Sequence, residues 1–177
     1  MNQALTPEIL TALPGPIGQG VVDSDHRHTS TSYIKVYPLV VDRGEGAWIY
    51  DVDGNRFLDF MAGIATASTG HAHPKVVEAI QEQAAKFLHI CGTDFYYEPM
   101  SRLAEKLTSY VPGMGKKRVF LSNSGSESLD GALKLVREHT RRPYAIAFKG
   151  SFHGRTLAAI SMNSSKVKYR KNFGPLL

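Results

Sequence analysis

Only one cysteine, Cys91, occurs among the 177 residues, so an intramolecular disulfide and a cysteine zinc site are both excluded. A reducing, cytoplasmic setting fits that usage. No stretch approaches the ~20 consecutive apolar residues of a membrane helix, and the opening MNQALTPEILTALPGPIGQG has no basic residue ahead of its weakly apolar part. Neither membrane insertion nor export is expected. Charge of one sign is scarce too: 21 basic against 16 acidic residues leave +5, and the one dense basic cluster is Lys166, Lys168, Arg170 and Lys171. A surface that tracks nucleic acid needs more contacts than that, so a solvated loop is expected there and no nucleic-acid partner. The sequence has no GxGxxG and no Walker-type Gly-Lys-Ser/Thr. Ser151 stands in GSFHG, which lacks the spacing of a nucleophile elbow.

What is present is a globular composition, 42% hydrophobic, long enough for a core of ordinary size. Residues 1–32 combine Pro14, Gly15, Pro16, Gly18 and Gly20 with DSDHRHTSTS, a composition that reads as an arm or lid. Residues 34–41 are β-prone but contain Pro38, which favours an edge strand. In GAWIYDVDGNRFLDF, alternating Trp48, Tyr50 and Val52 lead into the turn pair Asp53-Gly54 and then Phe57, Leu58 and Phe60, the pattern of a β-hairpin. The same stretch resembles the start of a calcium loop, but Arg56 and Ala62 replace the required Gly and Glu. His71 and His73, and His26 and His28, are likewise not read as metal ligands, for want of an acidic partner at a suitable spacing.

Pro74 can open a helix whose inner face would be Val76, Val77, Ile80, Ala84, Phe87 and Leu88. A second helix is expected from about Pro99, with Met100, Leu103, Ala104, Leu107 and Val111 inward, ending at Pro112-Gly113. Residues 118–121 read as a buried strand. Leu129, Ala132, Leu133 and Val136 then recur at helical spacing, and 145–148 reads as another buried strand. Strand, helix and strand at this spacing predict a βαβ unit with parallel strands.

The turn between strand and helix, SNSGSES, carries two readings. Helix N-termini leave backbone N–H groups unmatched and bear partial positive charge, so this turn suits a phosphate, with Gly125 allowing close approach and Ser126 adding a donor. Ser124 and Glu127 equally fit a capping box using the amides of residues 124 and 127, and the two readings can coexist. Phe152, His153, Gly154 and Arg155 follow the second expected strand, where ligands of open α/β sheets bind. A stacking ring, phosphate donors and a planar guanidinium would together suit a planar phosphorylated cofactor and a carboxylate substrate.

At these residues the sequence resembles the class III pyridoxal-phosphate-dependent aminotransferases, the group of acetylornithine, ornithine and 4-aminobutyrate aminotransferases. GAWIYDVDGNRFLDFMAGIATASTGHAHP, VFLSNSGSES and AFKGSFHGRT occur in the family's order, so the likeness runs from about Tyr33 to the end. The resemblance implies an α/β fold, the N-terminal part of a fold-type I transferase. In it, 1–32 would be an arm, 33–73 a β-hairpin segment of the small domain, and 74–177 the first, incomplete part of a three-layer α/β/α large domain. It implies pyridoxal 5'-phosphate as cofactor, with Ser124, Gly125 and Ser126 at the phosphate, Phe152 over the ring and His153 beside it. Arg155 matches an arginine for the substrate carboxylate, and Ile64 a residue lining the substrate pocket. The sequence departs from the family at Ser126 and Ser128, where Thr or Ala and Ala are usual, and at Asp130-Gly131 inside the helix.

The family's Schiff-base lysine and the aspartate that pairs with the pyridine nitrogen lie beyond the position matching Leu177, so no catalytic residue is assigned within this chain. The expectation is the front portion of an aminotransferase moving an amino group from an amino acid or ω-amino acid to 2-oxoglutarate, inactive as 177 residues alone and homodimeric when complete. A racemase, epimerase or aminomutase of the same class shares every motif quoted, and a non-catalytic truncated module is a third reading.

Overall fold

The computed structural model describes residues 5–177; the first four residues of the expected N-terminal arm lie outside the described residues. The chain divides into two compact units, one through Cys91 and one from Gly92 to Leu177.

The first unit is built on a three-stranded antiparallel sheet, β1 (Val41–Glu45), β2 (Trp48–Asp51) and β3 (Arg56–Leu58), in that spatial order. Trp48 pairs with Glu45 on one side and Leu58 on the other, and a bulge falls between Val41 and Arg43. The β2–β3 turn is the expected hairpin. Asp51 Oδ1 accepts from the amides of Asp53 (3.0 Å) and Asn55 (2.8 Å), closing the turn from inside. Residues 34–40, expected as an edge strand, form none; the ladder begins at Val41.

Within the stretch whose glycine and proline content reads as an arm or lid, the structure has α1 (Pro16–His28). Its start is capped from a distance. The Asp53 carboxylate accepts from the amides of Ile17 and Gly18, each at 2.8 Å, supplying the partners that a helix N-terminus lacks. A Cβ on Gly15 would lie 2.3 Å from Asp53 Cγ, so the close approach requires glycine there. Asn55 completes the tie: its Oδ1 accepts from the amides of Leu10 (2.6 Å) and Thr11 (3.0 Å), and its Nδ2 donates to Asp51 Oδ2 (2.6 Å). Opposite, the Gly46 and His71 backbones exchange two hydrogen bonds, and His71 Nε2 meets Asp59 Oδ2 at 2.6 Å. Beyond Asp59 comes the short turn α2 (Ala62–Ala65), which runs through positive φ at Ala62, Gly63, Ile64 and Ala65. The helix α3 (Pro74–Lys86) then starts on its proline as expected.

The second unit holds α4 (Glu98–Tyr110), α5 (Gly125–Thr140), the short α6 (Leu157–Met162) and a single 3₁₀ turn at Val167–Tyr169. Helices α5 and α6 pack together. Here two expectations fail. Residues 118–121 and 145–148 form no strands, so the βαβ unit is absent as a hydrogen-bonded ladder. The apolar residues predicted to be inside are mostly outside: Phe120, Ile146 and Phe148 are exposed, as are Ile80 on α3 and Leu103 on α4. The physical reason is common to both. A parallel strand is completed only by a neighbouring strand, and an amphipathic helix buries its stripe only against another layer. Among the described residues the buried hydrophobic side chains are Ala159 and Ile160 of α6. No helix of the described residues is long and apolar enough to cross a membrane.

Candidate functional site

The start of α5 is built by its own sequence. Ser124, in extended conformation, caps the helix, its Oγ accepting from the Glu127 amide at 3.2 Å. Glu127 reaches back, but to the amide of Asn123 (2.6 Å) and not to that of Ser124. The box is therefore one residue wider than the spacing predicts. Ser128 N donates to Ser124 O, and Ser122 Oγ lies 2.6 Å from Ser128 Oγ. Among the described residues no acceptor takes the backbone N–H of Gly125 or Ser126. Those two donors stand at the positive end of a 16-residue helix, a position that favours an anion by about 0.3–1 kcal/mol. Space beside Gly125 is open: nothing lies within 4 Å of where its Cβ would be.

The loop carrying Phe152, His153 and Arg155 meets this helix start through its backbone. Arg155 N donates to Ser126 Oγ at 3.1 Å. The Ser126 hydroxyl thereby accepts one bond and keeps its own hydrogen for a ligand. Gly154 has φ +130°, and a Cβ there would fall 1.8 Å from Ser126 Oγ, so only glycine permits the approach. Thr156 caps α6 and its hydroxyl donates to Asp130 Oδ1 of α5 at 3.1 Å. Phe152 is half exposed, its ring set edge-to-face against Tyr169 with centroids 5.3 Å apart. Arg155 is exposed, and no carboxylate pairs with its guanidinium among the described residues.

Five of the expected site residues, Ser124, Gly125, Ser126, His153 and Arg155, thus lie on two segments joined by a hydrogen bond, with Phe152 beside them. Ile64 belongs to the first unit, where it is highly exposed and left-handed in backbone. Asn163, which no sequence motif marks, is completely buried and bonded to the backbone on both sides of the His153–Gly154 pair. An asparagine closing a short apolar helix was the one available signal. A separate cavity of about 520 Å³ lies where α5 and α6 face the 143–147 segment. It is lined by Leu133, Ala145, Ala147 and Ala158, and by none of the expected site residues. His71, considered above for its spacing from His73, is engaged with Asp59, and no cluster of metal-ligating side chains occurs among the described residues.

The fold is shared with known proteins. The Aminotransferase class-III family pattern matches residues 29–177. The chain is 41% identical over 172 residues to an alanine/serine racemase of Pyrococcus horikoshii, covering 97% of this chain and 36% of that one. It is 42% identical over 156 residues to an acetylornithine aminotransferase of Archaeoglobus fulgidus, covering 88% and 40% respectively. The solved taurine:2-oxoglutarate aminotransferase of Bifidobacterium kashiwanohense, in complex with PLP and glutamate, superposes with a TM-score of 0.78 at 29% identity, over 92% of this chain and 35% of that one. The chain belongs to the class III aminotransferases, a pyridoxal-phosphate-dependent family. It spans well under half the length of these relatives.

Proposed function

We propose that these residues form the phosphate- and ring-binding part of a pyridoxal-phosphate enzyme that transfers an amino group from an amino acid or ω-amino acid to 2-oxoglutarate. The observation that carries the reading is the pair of unclaimed amides at Gly125 and Ser126 beside a hydroxyl whose hydrogen is still available. Residues and cofactor suit one another: two N–H donors and one O–H converge at a helix N-terminus, as a phosphate dianion requires. When bound, the cofactor supplies an electron sink for the carbon bearing the amino group. The chain's own contribution is placement. Ser124 holds the first turn of α5 in shape, Gly125 and Ser126 bind the phosphate, Phe152 covers one face of the ring, and His153 flanks it. Arg155 offers a planar fork to a substrate carboxylate, and Ile64 lines the substrate pocket.

On this reading residues 1–32 serve as an arm, 33–73 belong to a small domain and 74–177 to the large domain, and the complete enzyme is a homodimer. No lysine in the 177 residues stands in the context of the covalent one, so the chain by itself binds without turning over. A second reading, amino-acid racemase or epimerase, is favoured by the 41% identity to the alanine/serine racemase; product chirality in the whole protein separates the two.

The test uses 4'-deoxypyridoxine 5'-phosphate, which lacks the aldehyde and cannot react with surface lysines. Titrated into the isotopically labelled chain, it is expected to shift the Gly125 and Ser126 amide resonances, whereas 4'-deoxypyridoxine without phosphate leaves them in place. Equal responses to both compounds, or none, would overturn the assignment.

A further inference from the structure

Asn163 follows directly on α6 and is entirely shielded from solvent. Burying a primary amide is costly unless its groups are matched, and here they are. Its Oδ1 accepts from His153 N at 2.5 Å and its Nδ2 donates to Gly154 O at 2.8 Å. The carbonyl of Gly154 and the amide of Arg155 belong to one peptide unit, which is rigid and planar. That unit is therefore gripped at both ends: its C=O by Asn163, its N–H by Ser126 Oγ at 3.1 Å. A hydroxyl that accepts along one direction has its hydrogen confined to the others, so the direction in which Ser126 can donate depends on how the peptide is held.

We infer that Asn163 is a positioning residue for the phosphate site: by fixing the peptide between Gly154 and Arg155, its side-chain amide directs the Ser126 hydroxyl hydrogen toward an anion at the start of α5. This rests on the function proposed above. Hydrogen bonds in series then run from Asn163 Nδ2–H through the peptide to Ser126 and on to the phosphate, and each polarises the next. The same side chain, through His153 N, sets the backbone that carries the ring-facing Phe152 and His153. No other amino acid of this size offers both a donor and an acceptor at the same reach: Leu keeps the volume and loses both bonds, and Asp loses the donor.

The probes are 4'-deoxypyridoxine 5'-phosphate and its phosphate-free form, added to the 177-residue chain and to Asn163→Leu, Ser126→Ala and the double variant. Asn163→Leu is expected to weaken binding of the phosphorylated probe about tenfold, the loss of roughly one charge-assisted hydrogen bond, with the phosphate-free probe unaffected. Ser126→Ala is expected to do the same, and the double variant to be no worse than either single one. Additive losses, or equal losses for both probes, would show a merely structural asparagine and overturn the inference. Should Asn163→Leu not fold, the unsubstituted chain decides: the phosphorylated probe is expected to shift the Asn163 side-chain amide and slow hydrogen exchange at Arg155 N. A Gly125 shift with neither of these sinks the inference alone. No Gly125 shift at all sinks it together with the reading of the site.

Discussion

The two units bury polar and apolar groups by different means. In the first, a hairpin and a capped helix are tied by side-chain carboxylates and amides: Asp51, Asp53, Asn55 and Asp59 together accept from the backbone of residues 10, 11, 17, 18, 53, 55, 61 and 62. In the second, the helices form, but the extended segments beside them stay unpaired and their large side chains face out. Antiparallel neighbours are reached through a tight turn, so the first unit closes its sheet within about twenty residues of chain. Parallel neighbours require a crossover and a further strand. The lesson is that local apolarity alone does not order a segment, since 145–148 is more apolar than β1 and yet has no ladder, while polar side chains in the first unit join segments 35 to 45 residues apart.

The strongest way to break that comparison is at Asn55, which is fully buried and joins the hairpin turn to residues 10 and 11. Asn55→Ala leaves the Leu10 and Thr11 amides and Asp51 Oδ2 without partners, a cost of about 3 kcal/mol on the scale of unsatisfied buried groups. Amide hydrogen exchange at Leu10 and Thr11 should accelerate on the order of a hundredfold. Phe148→Ala in the second unit should change protection anywhere by less than about 0.5 kcal/mol, as for other exposed sites. If the phenylalanine proves the costlier loss, the contrast between the units is void.

What could be read in advance follows the same division. Asp53-Gly54 and the alternation around it give the hairpin, and the 3.6-residue spacing gives α3, α4 and α5, because turn and helix are decided by neighbours in sequence. The Ser124 and Glu127 box was visible for that reason, with only its Asn123 partner displaced. Helix α1 was invisible since its cap, Asp53, stands 35 or more residues away. At 118–121 and 145–148 no strand forms, because apolar character is necessary for a parallel sheet but not sufficient. Asn163 carried no motif at all: its role comes from a contact ten residues back to His153, and asparagine after a short helix has many ordinary reasons to occur.

Acid provides a milder probe of the first unit. The Asp59 carboxyl is held below its ordinary value, first by the His71 hydrogen bond and then by the Met61 amide, with Ala62 adding to them against a burial effect of opposite sign. A depressed carboxyl pKa means that the unfolded chain binds the proton more readily, so the stabilisation is complete above the ordinary carboxylate range and is lost as pH falls through that range toward the lowered folded value. Protection factors of the Met61 and Ala62 amides, each bonded to Asp59, should decline over that interval, while those of Ser164 and Ser165 in the second unit, both bonded to the Ser151 carbonyl, stay level. Their joint decline would mean that acid acts globally and says nothing of the units separately.

The smallest expected effect sharpens what holds α5. Gly131 lies inside that helix, where glycine costs about 0.8–1 kcal/mol relative to alanine. An added Cβ would meet Phe120 Cε1 at 3.0 Å, a contact that obliges one partner to yield. In a packed sheet Phe120 could not move, and the substitution would be neutral or harmful. Here Phe120 is 75% exposed and belongs to an unpaired segment, so its ring is free to swing away. Gly131→Ala should therefore raise the helicity of α5 and stabilise it by somewhat less than about 1 kcal/mol, read as slower amide exchange through residues 131–138. A destabilised helix would instead reveal that Phe120 is held in place, and that the segment before the phosphate turn is more ordered than its exposure indicates.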